Sequence, residues 1–112
     1  MPEAAYPKAV KIEVLTFEGC PNAAAARELV ERVAAYSLVD AEIAYVDVPD
    51  PEAAERLRFT GSPTIRVDGR DIEPGAGERT EYALACRIYR TEQGLTGVPD
   101  ERWLTDALAA QH

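Results

Sequence analysis

The chain has 112 residues, of which 46% are apolar and 29% charged, and its formal net charge is −8 with a pI near 4.6. This length fits one domain with one core, and the acidic charge argues against nucleic-acid and anionic membrane partners. No run approaches the ~18 apolar residues that a membrane span requires. Residues 1–8 carry no signal-peptide pattern, so we expect a cytoplasmic protein.

The first predicted elements are a flexible arm over residues 1–8, a strand over residues 10–17 and a helix over residues 21–36. Pro21 suits the first position of a helix, because its missing N–H would have no partner there. Cys20 therefore lies where the strand gives way to the helix, near the positive end of the helix dipole. Thiols in such positions are commonly deprotonated, and the thiolate attacks disulfides and binds soft metals. The alternative is a buried cysteine that serves as a small apolar side chain.

A second strand and a short helix follow. Residues 41–48 are rich in β-branched and aromatic side chains, which favours a strand. Asp50 is predicted to cap the short helix over residues 52–58, and Pro51 to open it. The order of strand, helix, strand and helix is typical of a parallel β-α-β unit.

A β-hairpin is predicted next. Residues 64–67 form its first strand, an Asp-Gly pair forms the turn, and residues 70–73 form the return strand. Pro63 precedes the hairpin, at a position where a missing donor is tolerated. The residues alone leave open whether the bond between Ser62 and Pro63 is cis, since X–Pro bonds adopt this form in a minority of cases.

The last third of the chain is less regular. Residues 80–90 fit both helical spacing and alternation, and we favour a helix. Residues 91–99 read as a loop. Asp100 is predicted to cap a final helix that extends to about residue 110. Its core-facing side would comprise Trp103, Leu104, Ala107 and Leu108.

The Cys20-Pro21 pair at a helix start and the later run Ser62-Pro63-Thr64 resemble the thioredoxin/glutaredoxin superfamily. The resemblance implies an α/β thioredoxin-like fold, with a four-stranded mixed sheet in the order 2-1-3-4 flanked by helices. It also implies that Pro63 is cis, lies beside Cys20 and shapes a substrate groove. Pro21, Ser62 and Thr64 would contact the substrate there, with backbone groups pairing with an extended thiol or disulfide compound.

The usual Cys-x-x-Cys pair of that superfamily is absent, because Ala23 stands where the second cysteine would be. Monothiol glutaredoxin-like proteins share this feature and use glutathione, or bind iron–sulfur clusters as dimers. Glutathione is therefore the candidate co-substrate, and no resident cofactor is expected. The chain is also similar to small bacterial thioredoxin-like proteins sometimes labelled alkylmercury lyase-like. The shared features are a Gly-Cys-Pro turn, residues 61–74, and a Cys-Arg-x-Tyr-Arg segment that starts at Cys86.

Cys86 is the candidate second catalytic thiol. It can pair with Cys20 only if its segment folds back over the start of the first helix, because a disulfide needs Cα atoms within roughly 7 Å. Arg66 and Arg87 would then bind the substrate, and Arg90 is a further source of positive charge for thiolates or a glutathione carboxylate. The alternatives are a Cys86 that fills an apolar helix face and arginines that form weak surface pairs.

The expected function is thiol–disulfide exchange, with Cys20 as the nucleophile and Cys86 or glutathione resolving the mixed disulfide. One alternative is binding of mercury, an organomercurial or another soft metal by the two thiols without turnover. Another is an interaction module that has lost its chemistry. Cleavage of a carbon–mercury bond ranks below binding, because neither Glu18 nor Asp68 is a convincing proton donor. Zinc is not expected, since the single histidine is His112, and the oligomeric state is left open.

Overall fold

A computed structural model describes residues 9–110, and the arm predicted over residues 1–8 lies outside this range. The first half contains β1 (Val10–Thr16), α1 (Ala23–Tyr36), β2 (Ala41–Asp47) and α2 (Pro51–Leu57). The second half contains β3 (Thr64–Val67), β4 (Arg70–Asp71), β5 (Tyr89–Thr91), β6 (Gly94–Thr96) and α3 (Glu101–Ala109). None of the helices formed by residues 9–110 has the length and apolar character to cross a bilayer.

Four strands form a mixed sheet in the order β2-β1-β3-β4, as predicted. β1 is parallel to β2 and antiparallel to β3, and β3 is antiparallel to β4. Leu15 near the end of β1 is paired with Thr64 at the start of β3. The loop that leaves β1 and the segment that enters β3 therefore meet at one edge of the sheet, which we call the Leu15–Thr64 edge.

One face of the sheet is covered by α1 and α3. Alternate strand residues point towards these helices, as the two-residue period of a strand requires. The buried cluster consists of Val10, Ile12, Val14, Ala26, Leu29, Val30, Val33, Ile65, Val67, Ile72, Leu104 and Leu108. Trp103 and Ala107 pack against it, so the predicted core-facing side of the last helix is confirmed. We call the face of the sheet that α1 and α3 cover the apolar face.

The opposite face, which we call the α2 face, carries a smaller buried cluster. Its members are Leu15, Val48, Ala53, Ala54 and Phe59. The predicted start of α2 is confirmed, because the Asp50 side chain accepts a 2.8 Å bond from the Ala53 amide and Pro51 is the first helical residue. Thr64 and Arg66 also point to this side, since they alternate with the core residues Ile65 and Val67.

The helix predicted over residues 80–90 is wrong. The segment is extended instead, and the loop predicted over residues 91–99 contains the β5–β6 hairpin. Arg87 and Tyr89 are buried, whereas the residues between and beside them are exposed. The sequence alternation of Tyr82, Leu84, Cys86 and Ile88 does not mark the buried side either. Arg87 and Tyr89 are buried instead, because they bond to Thr64, Asp71 and Glu73 and to the Pro63 carbonyl.

Smaller differences concern the ends of elements. α1 begins at Ala23, two residues later than predicted, and β4 contains only Arg70–Asp71 rather than four residues. The predicted Asp-Gly hairpin turn is confirmed: Asp68 and Gly69 have φ values of +48° and +83°. Such positive values at both central positions are typical of the tight turn that suits a two-residue hairpin.

Candidate functional site

Cys20 lies in the turn that joins β1 to α1. Its amide donates to the Phe17 carbonyl at 3.2 Å, and its own carbonyl accepts from the Ala23 amide at 3.3 Å. Gly19 has a φ of +90°, which a residue with a side chain rarely adopts. Because Asn22 is the N-cap of α1, Cys20 lies just before the helix rather than within its first turn.

The Cys20 residue is 9% exposed, yet it belongs to neither apolar cluster. Its neighbours Glu18, Gly19 and Pro21 are exposed. The thiol therefore lies just below the surface of an exposed loop, outside the packed aliphatic interior. A residue in this position differs from a cysteine within a core cluster, although little of its surface is exposed.

Pro63 enters β3 at the same edge of the sheet. The Ser62–Pro63 bond is cis, as the resemblance implied. Ser62, Pro63 and Thr64 are all buried. The pairing of Leu15 with Thr64 fixes Pro63 next to the end of β1, from which the Cys20 loop departs.

Cys86 is aligned with Ser62 through the backbone. The Ser62 amide donates to the Ala85 carbonyl at 2.8 Å, and the Ser62 carbonyl accepts from the Arg87 amide at 2.9 Å. Ser62 and Cys86 thus form an isolated parallel bridge, with the Cys86 residue exposed. Both backbone groups of Ser62 that the resemblance assigned to an extended substrate are already bonded to the chain itself. No disulfide joins the two cysteines, which are both free.

Arg87 anchors this segment to the sheet. Its side chain is 3% exposed, and one terminal nitrogen donates to Thr64 Oγ1 at 2.9 Å and to Asp71 Oδ2 at 2.7 Å. The other donates to Asp71 Oδ1 at 3.1 Å and to Glu73 Oε1 at 2.8 Å. Burial alone would lower the pKa of Arg87, but the bonds to Asp71 and Glu73 raise it above its ordinary value, so the guanidinium stays charged.

The side chains of Arg87 and Thr64 are therefore bonded within the chain in this structure, whereas the substrate contact expected of Thr64 is through its backbone. Arg87 is committed to two carboxylates, and Thr64 Oγ1 accepts from Arg87 and donates to the Gly61 carbonyl at 2.6 Å. Both residues instead fix the position of the segment that carries Cys86. A substrate that bound the terminal nitrogens of Arg87 or Thr64 Oγ1 would compete with these internal bonds.

Tyr89 connects the same segment to Pro63. Its hydroxyl donates to the Pro63 carbonyl, and its ring lies 6.1 Å from that of Trp103 and 4.5 Å from the Arg87 guanidinium. Burial raises the pKa of the Tyr89 phenol. Sequence reasoning missed the bond between Tyr89 and Pro63, because the two residues lie 26 positions apart and no local pattern marks the pairing.

The other two arginines expected to supply positive charge, Arg66 and Arg90, form none of these contacts. Arg66 is half-buried on the α2 face, where it donates to the Arg58 carbonyl at 2.8 Å and lines a cavity beside α2. Arg90 is exposed on β5. Within residues 9–110, no three His, Cys, Asp or Glu side chains are grouped as they would be in a metal site.

Comparison with known proteins yields no assignment: no protein-family model matches the chain, and a search of curated proteins finds no match.

Proposed function

We propose that this chain is a thiol–disulfide oxidoreductase with a thioredoxin-like fold, in which Cys20 is the attacking thiol. The observation that carries the proposal is the Leu15–Thr64 pairing. It brings the loop that holds Cys20 and the Pro63 segment to one edge of the sheet. The sheet order β2-β1-β3-β4 and the turn before α1 are further support.

Cys86 is the resolving thiol in this proposal. It is exposed, and the residues on either side of it, Ala85 and Arg87, are bonded through their backbone to Ser62, which precedes Pro63. The buried ion pairs of Arg87 with Asp71 and Glu73 hold the adjoining backbone in place. A tethered thiol reacts at a high effective concentration, so we favour Cys86 over free glutathione for the second step.

The reaction consists of two exchange steps. The Cys20 thiolate attacks one sulfur of a substrate disulfide, a mixed disulfide forms, and the other substrate sulfur leaves as a thiolate that takes up a proton. The Cys86 thiolate then attacks Cys20 Sγ and releases the second substrate thiolate. The substrate has gained two electrons, and the chain ends with a Cys20–Cys86 disulfide that an external dithiol or glutathione reduces.

The proposal is tested by treating the reduced protein with oxidised glutathione and measuring the masses of the products by mass spectrometry. Wild type should form an internal disulfide and retain no glutathione. Cys86→Ala should stop at the first step and retain one glutathione on Cys20, whereas Cys20→Ala should react far more slowly than Cys86→Ala. Equal reaction rates of the two variants would contradict a privileged role of Cys20. Far-ultraviolet circular dichroism of each variant controls for folding.

The free state of both cysteines also favours a second candidate, the capture of a soft metal ion such as mercuric ion without turnover. Thiolates are the ligands that soft ions prefer. Wild type would then bind one mercuric ion through two sulfurs, and Cys86→Ala would bind it more weakly. An unchanged affinity in Cys86→Ala, measured in competition with a dithiol chelator, would exclude capture by the pair.

A further inference from the structure

Five of the arginines surround one cavity of about 670 Å³ at the C-terminal end of α2. The cavity lies between that end of α2, the β3–β4 hairpin and the loop that follows β4. Its arginines are Arg56, Arg58, Arg66, Arg70 and Arg79. The whole chain has only 12 basic residues against 20 acidic ones, so this is a marked concentration of positive charge. The volume is in the range of small-molecule pockets.

The carboxylates that line the cavity already form ion pairs within the chain. Its acidic lining residues are Asp71 and Glu73. Arg87 bonds both from the interior, and Arg79 bonds Glu73 at 2.8 Å. Five positive and two negative lining charges leave an excess of three positive charges in a chain of net charge −8.

Most of these guanidinium groups are available to a ligand. Arg56 and Arg70 are exposed and form no side-chain hydrogen bond or ion pair within residues 9–110. Arg66 is half-buried and is oriented by its 2.8 Å bond to the Arg58 carbonyl. Arg58 itself ends α2 with a φ of +54°. Arg66 and Arg79 are thus held in place at the wall by internal bonds. The other three cavity arginines remain free to close on a bound anion.

We propose that this cavity binds a small polyanion that carries two or more phosphate or carboxylate groups. The planar fork of a guanidinium bonds such groups in a bidentate manner. A compound with a single negative charge would leave most of the arginines unpaired. Leu57, Ile72 and Tyr82 also line the cavity and offer apolar contacts to the body of the ligand. The proposal is independent of the thiol chemistry.

The experiment is calorimetric titration of the full chain with inorganic tripolyphosphate and, separately, with citrate at low salt. Binding of either probe supports the proposal, and the stronger of the two identifies the preferred anionic group. The Arg56→Gln/Arg70→Gln variant removes two exposed arginines with no internal bonds, so its fold should be unaffected. Each lost charge-assisted bond should weaken binding about tenfold.

The matched control is Arg27→Gln/Arg90→Gln, which removes the same charge from exposed positions outside the cavity. It should change the affinity less than threefold. Equal weakening by the two variants would show that only the overall charge matters and would overturn the proposal. Failure of the wild-type chain to bind either probe at low salt would also overturn it.

Discussion

The two faces of the sheet are stabilised in different ways. On the apolar face, aliphatic residues of β1 and β3 pack against α1 and α3. On the α2 face, the buried Arg87 guanidinium joins Thr64, Asp71 and Glu73 beside a small apolar cluster. The first arrangement depends on filled volume, whereas the second depends on keeping every buried charge paired.

This difference bears on function, because the candidate thiol chemistry lies with the polar contacts. Arg87 follows Cys86 directly, and Tyr89 bonds the Pro63 carbonyl two residues further on. The segment of the proposed resolving thiol is therefore positioned by paired charges and hydrogen bonds, to which the contact of the Tyr89 ring with Trp103 is added. Substitutions that separate these two kinds of stabilisation should have distinct effects on stability and on exchange.

The largest effect is expected from Arg87→Met. This change leaves Asp71 and Glu73 partly buried without their shared cation, and removal of one partner from a buried pair costs about 3–5 kcal/mol. Urea unfolding at pH 7 measures the loss. The matched control Arg90→Met alters an exposed arginine of β5. Its free energy of unfolding should stay within about 0.5 kcal/mol of the wild-type value.

On the apolar face, Leu104→Ala provides the comparison. Leu104 is fully buried, and its truncation should cost about 2–5 kcal/mol through lost contacts and a cavity. Leu104→Met, which conserves volume, should cost less than about 1.5 kcal/mol. A loss below about 1 kcal/mol in Arg87→Met, alongside a normal loss in Leu104→Ala, would show that the charge cluster does not stabilise the α2 face.

A smaller effect, with a characteristic pH dependence, is expected from Tyr89→Phe. At pH 7 the lost bond to the Pro63 carbonyl should cost about 1–2 kcal/mol. Because burial raises the pKa of Tyr89 above its usual value of 10.0, the folded chain keeps a proton that the unfolded chain releases at alkaline pH. Wild type should therefore lose about 1.4 kcal/mol per pH unit above pH 10 from this group.

Tyr89→Phe should lack this alkaline loss, so the stability difference between it and wild type should shrink as the pH rises from 9 to 11. Urea unfolding at intervals across that range measures the difference. Parallel curves for the two proteins would contradict a buried, protonated phenol at this position.

The smallest effect is expected at the helix caps. The Asp50 side chain accepts from the Ala53 amide at 2.8 Å, and the Asp100 side chain accepts from the Arg102 amide at 2.9 Å. Replacement of either by alanine should cost about 1 kcal/mol. The two faces should respond alike, because capping is local. If the two replacements lowered the free energy of unfolding by clearly different amounts, one cap would also support a longer-range contact.

The sequence predicted those parts of the fold whose signals are local. β1, the Asp68-Gly69 turn, the Asp50 cap and the apolar side of α3 all follow from patterns within a few residues. The sheet order came from the resemblance, whose motifs mark the Cys20 turn and Pro63. The position of Cys20 in the turn before α1 was also predicted, from the strand that precedes it and from Pro21 after it.

The segment from residue 80 to residue 91 could not be predicted in the same way. Arg87 reaches Asp71 and Glu73, 16 and 14 residues away, and Tyr89 reaches Pro63, 26 residues away. No local period shows that an arginine will be buried among carboxylates. The bridge between Ser62 and Cys86 depends on those distant partners, so the pairing behind the proposed second thiol emerged only in three dimensions.

The most direct test of the account is to map the disulfide that forms when the reduced chain is oxidised with one equivalent of oxidised glutathione. After proteolysis, the account predicts one linked pair of peptides that joins Cys20 to Cys86 within a single chain. The chain should be two mass units lighter than the reduced protein. A glutathione adduct that persists on either cysteine, with no internal link, would contradict it.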